Sequence, residues 1–195
     1  MGKIFCVMGK SATGKDTIYK RILEEEFLGL KRIVPYTTRP IRDGEEEGKE
    51  YHFATEEDVQ RLEEENLIIE LRAYNTIHGI WKYFTVNDGS IELDKESYML
   101  IGTLETYVKI RDYFGEDRVI PIYIEVEDGE RLARALKRER KPENQKYEEM
   151  CRRFLADSAD FSEEKIKEAR VTTRFINDDR EETLEEVKAY IESMM

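Results

Sequence analysis

Directly after the evenly apolar run Ile4-Phe5-Cys6-Val7-Met8, the chain reads Gly9-Lys10-Ser11-Ala12-Thr13-Gly14-Lys15-Asp16-Thr17. Gly9, Gly14 and Lys15 carry the G-x-x-x-x-G-K spacing of a P-loop. That spacing suits polyphosphate chemistry. The glycines permit a tight backbone path, and N–H groups along Ser11, Ala12 and Thr13 point inward at phosphate oxygens. Lys15 adds charge to the β- and γ-phosphates, and the following helix N-terminus favours an anion. A chance glycine-rich turn is the plainer alternative, and the strand–loop–helix context argues against it. One departure concerns metal: Asp16 replaces the hydroxyl residue that usually follows the lysine, with Thr17 next. That hydroxyl ordinarily reaches Mg²⁺, whereas a carboxylate can ligate the ion directly, hold it through water, or repel the phosphates.

Two further groups of side chains suit phosphate. Arg39 and Arg42 stand three apart in Tyr36-Thr37-Thr38-Arg39-Pro40-Ile41-Arg42-Asp43-Gly44-Glu45, with Tyr51 following in Gly48-Lys49-Glu50-Tyr51-His52-Phe53. Guanidinium groups donate planar, paired bonds to phosphate oxygens and a phenol adds one more, although two loop arginines on their own are more often solvated charge. Residues 130 to 153 carry Arg131, Arg134, Lys137, Arg138, Arg140, Lys141, Arg152 and Arg153. Phosphoryl transfer needs such a cluster because charge spreads over the transferring oxygens. The bland alternative is a solvated helix face with i,i+4 Glu–Arg pairs.

These cations work against the field of the whole chain. Its 195 residues include 32 Lys and Arg against 44 Asp and Glu, a formal charge of −12, which argues against a general nucleic-acid or anionic-membrane binder. Short apolar runs indicate a folded protein, and none approaches the ~18 residues of a spanning helix. With no signal-peptide pattern at Met1, a cytoplasmic location is expected. Cys6 and Cys151 form neither a metal spacing nor a disulfide framework, and with only His52 and His78 as imidazoles a zinc site is not expected.

Strand-length apolar runs alternate with segments of helical period, which predicts an α/β fold with a mainly parallel central sheet. Residues 3 to 8 read as a buried central strand, followed by a helix with Ile18, Ile22 and Leu23 on one face. A second strand is expected at Arg32-Ile33-Val34. Thr55 with Asp58 reads as an N-cap before a helix that buries Val59 and Leu62. Leu67-Ile68-Ile69 and Trp81 to Phe84 read as strands around a polar turn at Asn75-Thr76. Residues 35–90 thus form a small β-rich lobe inserted into a core of 1–34 and 91–195. Core strands resume at 98–101 and 119–124, helices are expected at 128–140, 146–157 and 181–194, and Phe175-Ile176-Asn177 closes the sheet.

Over almost its whole length the sequence resembles the guanylate kinases, P-loop nucleoside monophosphate kinases. After the P-loop, the most specific likeness is the block from Tyr36 to Glu45 with Gly48 to Phe53, which follows the family's T-T-R-x-x-R-x-G-E and G-x-x-Y-x-F pattern. The resemblance implies a P-loop NTPase-type core, an inserted nucleotide-monophosphate lobe and a helical lid at about 130–156. It implies that Arg39, Arg42 and Tyr51 bind the acceptor's phosphate, and that Glu70 accepts hydrogen bonds from the guanine N1–H and 2-amino group. Tyr83 aligns with a phosphate-binding tyrosine and Thr85 with a base-contacting hydroxyl, across a stretch from Tyr74 to Thr85 about four residues longer than the family's. Lys15, Arg134, Arg138 and Arg153 are implied in transfer, with ATP on Gly9, Ser11, Ala12, Thr13, Gly14, Lys15, Asp16 and Thr17. Asn177, in Phe175-Ile176-Asn177-Asp178-Asp179 at the place of the family's I-x-N-D-D ending, would contact adenine; an ordinary turn after a strand is the competing reading.

The implied reaction is transfer from ATP to GMP or dGMP, with Mg²⁺ accompanying ATP and Asp16 its candidate ligand. Two departures keep other acceptors open. Pro35 stands where the family usually has Ser, and the strand that normally delivers Asp residues reads Leu100-Ile101-Gly102-Thr103-Leu104-Glu105. The alternatives are another nucleotide or ribose 1,5-bisphosphate on the same fold, and a catalytically silent binding module for phosphorylated peptides. Retention of Gly9, Gly14 and Lys15 speaks against the module. Nothing in the sequence sets an oligomeric state.

Overall fold

The computed structural model describes residues 1–76, 79–141 and 145–195. His78 and residues 142–144 of the expected lid lie outside them. The fold is α/β. Five strands make a parallel sheet: β1 (Ile4–Met8), β2 (Lys31–Arg32), β7 (Tyr98–Ile101), β8 (Val119–Glu125) and β9 (Arg174–Ile176), in the order β2-β7-β1-β8-β9. Every side chain of β1 is buried because helices cover both sheet faces. Ile4, Cys6 and Met8 face α3 (Leu104–Phe114) and α6 (Glu163–Glu168), while Phe5 and Val7 face α1 (Lys15–Leu23) and α7 (Arg180–Met194).

The second strand is paired over 31–32, and the Ile33 N–H extends its ladder to the Met99 carbonyl at 3.0 Å. As expected, β9 is an edge strand beside β8. α3, which the sequence reading did not mark, begins where the Thr103 hydroxyl accepts from the Thr106 N–H at 3.2 Å.

A second sheet, β4-β3-β6-β5, is built from β3 (Tyr36–Thr37), β4 (His52–Phe53), β5 (Ile68–Thr76) and β6 (Gly79–Val86). It packs on α2 (Glu56–Glu64) through Val59, Leu62, Phe84 and Val86. Thr55 and Asp58 form the expected capping box. Asn75 and Thr76 are not a turn: they pair with Ile80 and Gly79 at the end of a long hairpin. The pairing runs from Tyr74 opposite Trp81 back to Glu70, which lies directly opposite Thr85.

Two more helices complete the chain, α4 (Asp128–Glu139) and α5 (Tyr147–Asp160). No described helix is long and apolar enough to cross a membrane.

Candidate active site

The glycine-rich loop joins the C-terminal end of β1 to the N-terminus of α1. A Cβ on Gly9 would run into the Ile124 carbonyl oxygen, and one on Gly14, at φ 85°, would sit 2.6 Å from Asn177 Nδ2. Both positions therefore require glycine. Ala12 also holds a left-handed φ of 66°. The Thr13 hydroxyl donates to the Lys10 carbonyl at 2.9 Å, and Asn177 Nδ2 donates to the Thr13 carbonyl at 2.6 Å. Asn177 thus fastens the loop to the end of β9. Lys15 Nζ lies 3.5 Å from Asp16 Oδ2, while the Asp16 and Thr17 side chains face solvent on the first turn of α1.

A charged network holds the other side of the loop. Asp157 on α5 accepts the Ser11 N–H at 2.7 Å, and Arg131 on α4 donates to the Ser11 carbonyl at 3.0 Å. Arg131 is 1% exposed, stacks 4.5 Å from the Phe154 ring and also donates from Nε to Asp128 at 3.0 Å. Its NH2 nitrogen, 2.9 Å from Asp128 Oδ1, is placed for charge attraction rather than hydrogen-bond geometry. Lys10 reaches the same carboxylate at 3.2 Å. Burial alone would raise the Asp128 carboxyl; the hydrogen bonds from Arg131 and Lys10 outweigh it and hold the pKa low.

Two cavities border α4, one of them reaching the loop at Ser11. One, of about 370 Å³, is lined by Arg134, Lys137, Asn177 and Asp178 among others, with Arg134 NH2 donating to the Asn177 carbonyl at 3.2 Å. The other, of about 100 Å³, brings together Ser11, Arg131, Arg138, Lys146 and Arg153. Arg138 and Arg153 therefore share a cavity, and Arg134 stands with Asn177 in the first. Arg153 is held at 2.8 Å by Glu149, which also binds Arg152 at 2.7 Å. Those two partners, Arg152 first, pull the Glu149 pKa down to about 2.

Across the molecule, the turn after β3 buries Arg39 to 3% exposure. Its NH1 and NH2 donate to the two Glu45 oxygens at 2.9 Å each, and the Tyr51 ring lies 5.3 Å from the guanidinium carbon. Tyr83 joins the cluster, with its ring 5.7 Å from that of Tyr51. Burial raises the Tyr51 phenol, keeping it a neutral donor. Arg42 is exposed on the same turn, its N–H bonded to Glu45 Oε2 at 2.9 Å. Deeper in the lobe, Glu70 is 4% exposed; its Oε1 accepts the Thr85 hydroxyl at 2.8 Å and its Oε2 accepts Arg72 Nε at 3.0 Å.

The family profile described as guanylate kinase matches residues 1–194. The guanylate kinase of Caldanaerobacter subterraneus subsp. tengcongensis is 30% identical over 197 aligned residues, covering 97% of this chain and 86% of that one. That of Porphyromonas gingivalis is 27% identical, covering 98% and 97%. The chain belongs to the guanylate kinase family. Its fold matches the crystal structure of guanylate kinase from Anaplasma phagocytophilum with a TM-score of 0.68, at 22% identity, over 98% of this chain and 85% of that one.

For a guanylate kinase, the donor set around α1 suits magnesium. Among the described residues no three His, Cys, Asp or Glu side chains cluster as a ready-made cage. The hard oxygens of Asp16 and Thr17 stand at the loop's end, and Mg²⁺ is commonly held by one or two such groups plus substrate phosphates and water.

The sequence reading did not assign Arg72, Glu45, Asp128 or Asp157 to the site. Arg72 had a legible signal, since it lies two residues beyond Glu70 on the same strand face. Asp157 had none, because only the packing of α5 against the loop brings it to Ser11.

Proposed function

We propose that this guanylate kinase transfers the γ-phosphoryl group of ATP to GMP or dGMP. The observation that carries the reading is the pairing, in one chain, of the glycine-rich loop with a buried Arg39, set against the half-buried Tyr51 ring that Tyr83 abuts, and a buried Glu70–Thr85 pair. An oxygen of the GMP phosphate attacks the γ-phosphorus in line, the bond to the β–γ bridging oxygen breaks, and ADP leaves with that electron pair. No general base is required, because the attacking oxygen is already anionic.

The P-loop N–H groups and Lys15 hold the β- and γ-phosphates, while Arg138 and Arg153 meet the charge that spreads over the transferring oxygens. Arg134, Asn177 and their cavity receive the adenine side of ATP. Arg39, Arg42, Tyr51 and Tyr83 hold the acceptor's phosphate; Glu70 and Thr85 read guanine. Bound with ATP, Mg²⁺ supplies charge neutralisation between the phosphates, and Asp16 and Thr17 are the residues that would hold it. Residues 35–90 act as the acceptor lobe and 130–156 as the lid, which close to exclude water. Nucleotide substrates support a cytoplasmic location, and the net charge of −12 supports small-molecule rather than nucleic-acid partners.

The test is ADP release from Mg-ATP with GMP, dGMP, IMP, AMP, CMP, UMP, dTMP and ribose 1,5-bisphosphate in turn. Turnover confined to GMP and dGMP is the expected result; turnover with another acceptor alone would overturn the base assignment.

A further inference from the structure

Glu70 presents a problem of charge. Its side chain is 1% exposed, and an ionised carboxylate so deep is costly without a partner. The partner is Arg72 on the same strand. Its Nε donates to Glu70 Oε2 at 3.0 Å, and its NH1 donates across to the Thr103 hydroxyl, the cap of α3, at 3.4 Å. The guanidinium thus joins the acceptor lobe to the core immediately after Gly102, on the stretch whose usual Asp residues are missing here.

We propose that Arg72 is a positioning residue for acceptor selection: its guanidinium neutralises the buried Glu70 and ties the strand carrying it to the core, so that Glu70 remains a two-oxygen acceptor for guanine. The inference rests on the GMP reading above. A carboxylate offers about four lone-pair sites over its two oxygens. Thr85 uses one on Oε1 and Arg72 uses one on Oε2, which leaves one acceptor site on each oxygen. Two adjacent donors, N1–H and the 2-amino group, match that remainder. A protonated carboxyl would turn one of these sites into a donor and lose the match.

Thr85 from β6 and Thr103 from the cap of α3 bond this pair, and Tyr74 from β5, Cys6 from β1 and Tyr51 just before β4 are near enough to interact with its charges. Burial pushes both the Cys6 thiol and the Tyr51 phenol up, so both stay neutral near pH 7. Arg72, although burial opposes its charge, is held cationic chiefly by Glu70. Of these groups it alone is cationic.

The experiment compares wild type, Arg72→Leu and Arg72→Lys in steady-state kinetics. Arg72→Leu is expected to lower kcat/KM for GMP about 100-fold at neutral pH through KM for GMP, with KM for ATP unchanged. Arg72→Lys, which keeps the charge but loses the planar fork, restores most of kcat/KM for GMP. An Arg72→Leu enzyme with wild-type KM for GMP would overturn the proposal, and so would equal rises in both KM values that Arg72→Lys does not reverse. Should Arg72→Leu fail to fold, a smaller rise in KM for GMP alone is expected from Arg72→Lys, and wild-type values there would overturn it. Absence of GMP turnover in the wild type would overturn the substrate reading as well; GMP turnover with an indifferent Arg72→Leu would remove Arg72 alone.

Discussion

Glu45 grips the Arg39 guanidinium through two parallel bonds of 2.9 Å, NH1 to Oε2 and NH2 to Oε1. The Pro40 carbonyl takes a further NH1 hydrogen at 2.7 Å. These contacts commit the NH1–NH2 edge of the guanidinium; on the reading proposed above, its Nε side meets the acceptor phosphate. Burial opposes the charge of Arg39, and its bonds to Glu45 more than restore it. Glu45→Gln keeps the shape but removes the charge and one acceptor. We expect KM for GMP to rise about tenfold with KM for ATP unchanged, as measured by steady-state kinetics.

Among the described residues, the Lys15 ammonium bonds only the neighbouring Asp16, at 3.5 Å. Its charge is therefore available to phosphate rather than engaged in the fold. Lys15→Ala should reduce kcat by about 10²–10³-fold, the usual cost of removing one preorganised charge-stabilising donor. The thermal midpoint should stay near that of wild type; a variant of unchanged kcat would exclude Lys15 from transfer.

The loop was legible in sequence because its spacing is local, and β1 because a strand covered on both faces reads as one unbroken apolar run. Thr55 and Asp58 were legible for the same reason: a capping box lies within a single turn. The hairpin end was not. Asn75 and Thr76 have turn-forming side chains, yet ladder pairing with Ile80 and Gly79 overrides that preference. Nor was Asp157, whose contact with Ser11 spans 146 residues and arises from helix packing alone. In the same way Glu70 could be placed by resemblance, while the need to neutralise it emerged only from its burial.

Asn177 is 2% exposed and holds the Thr13 carbonyl at 2.6 Å beneath Gly14. Asn177→Ala leaves that carbonyl unpaired and loosens the glycine-rich loop, where ATP sits on the reading proposed above. A stability loss of about 1–3 kcal/mol by denaturant unfolding should accompany a rise in KM for ATP, with KM for GMP unaffected.

Arg131 is buried between two carboxylates, Asp128 and Asp157. Removing Asp157 leaves the buried guanidinium with Asp128 but takes away one of its two carboxylates and the acceptor of the Ser11 N–H. Asp157→Ala should destabilise the protein by about 1–3 kcal/mol, read as a lowered thermal midpoint. The double variant Asp157→Ala with Arg131→Met should recover part of the loss, and simple additivity of the two single changes would contradict a coupled pair.

Glu149 gives a pH prediction. Its folded pKa of about 2 lies below the ordinary 4.5, so its pairing with Arg152 and Arg153 stabilises the protein above pH 4.5 and is lost as pH falls from there toward 2. The side chain is 39% exposed, so solvent screens much of the gain. Thermal midpoints measured across that window should fall less steeply for Glu149→Gln than for wild type. Parallel curves would show that the pair contributes nothing.

The most direct test of the central claim follows the phosphorus itself, by ³¹P NMR of Mg-ATP incubated with GMP and the protein. Transfer between nucleotides predicts ADP and GDP appearing in equal amounts, without inorganic phosphate. Inorganic phosphate without GDP, or unchanged ATP and GMP, would contradict it.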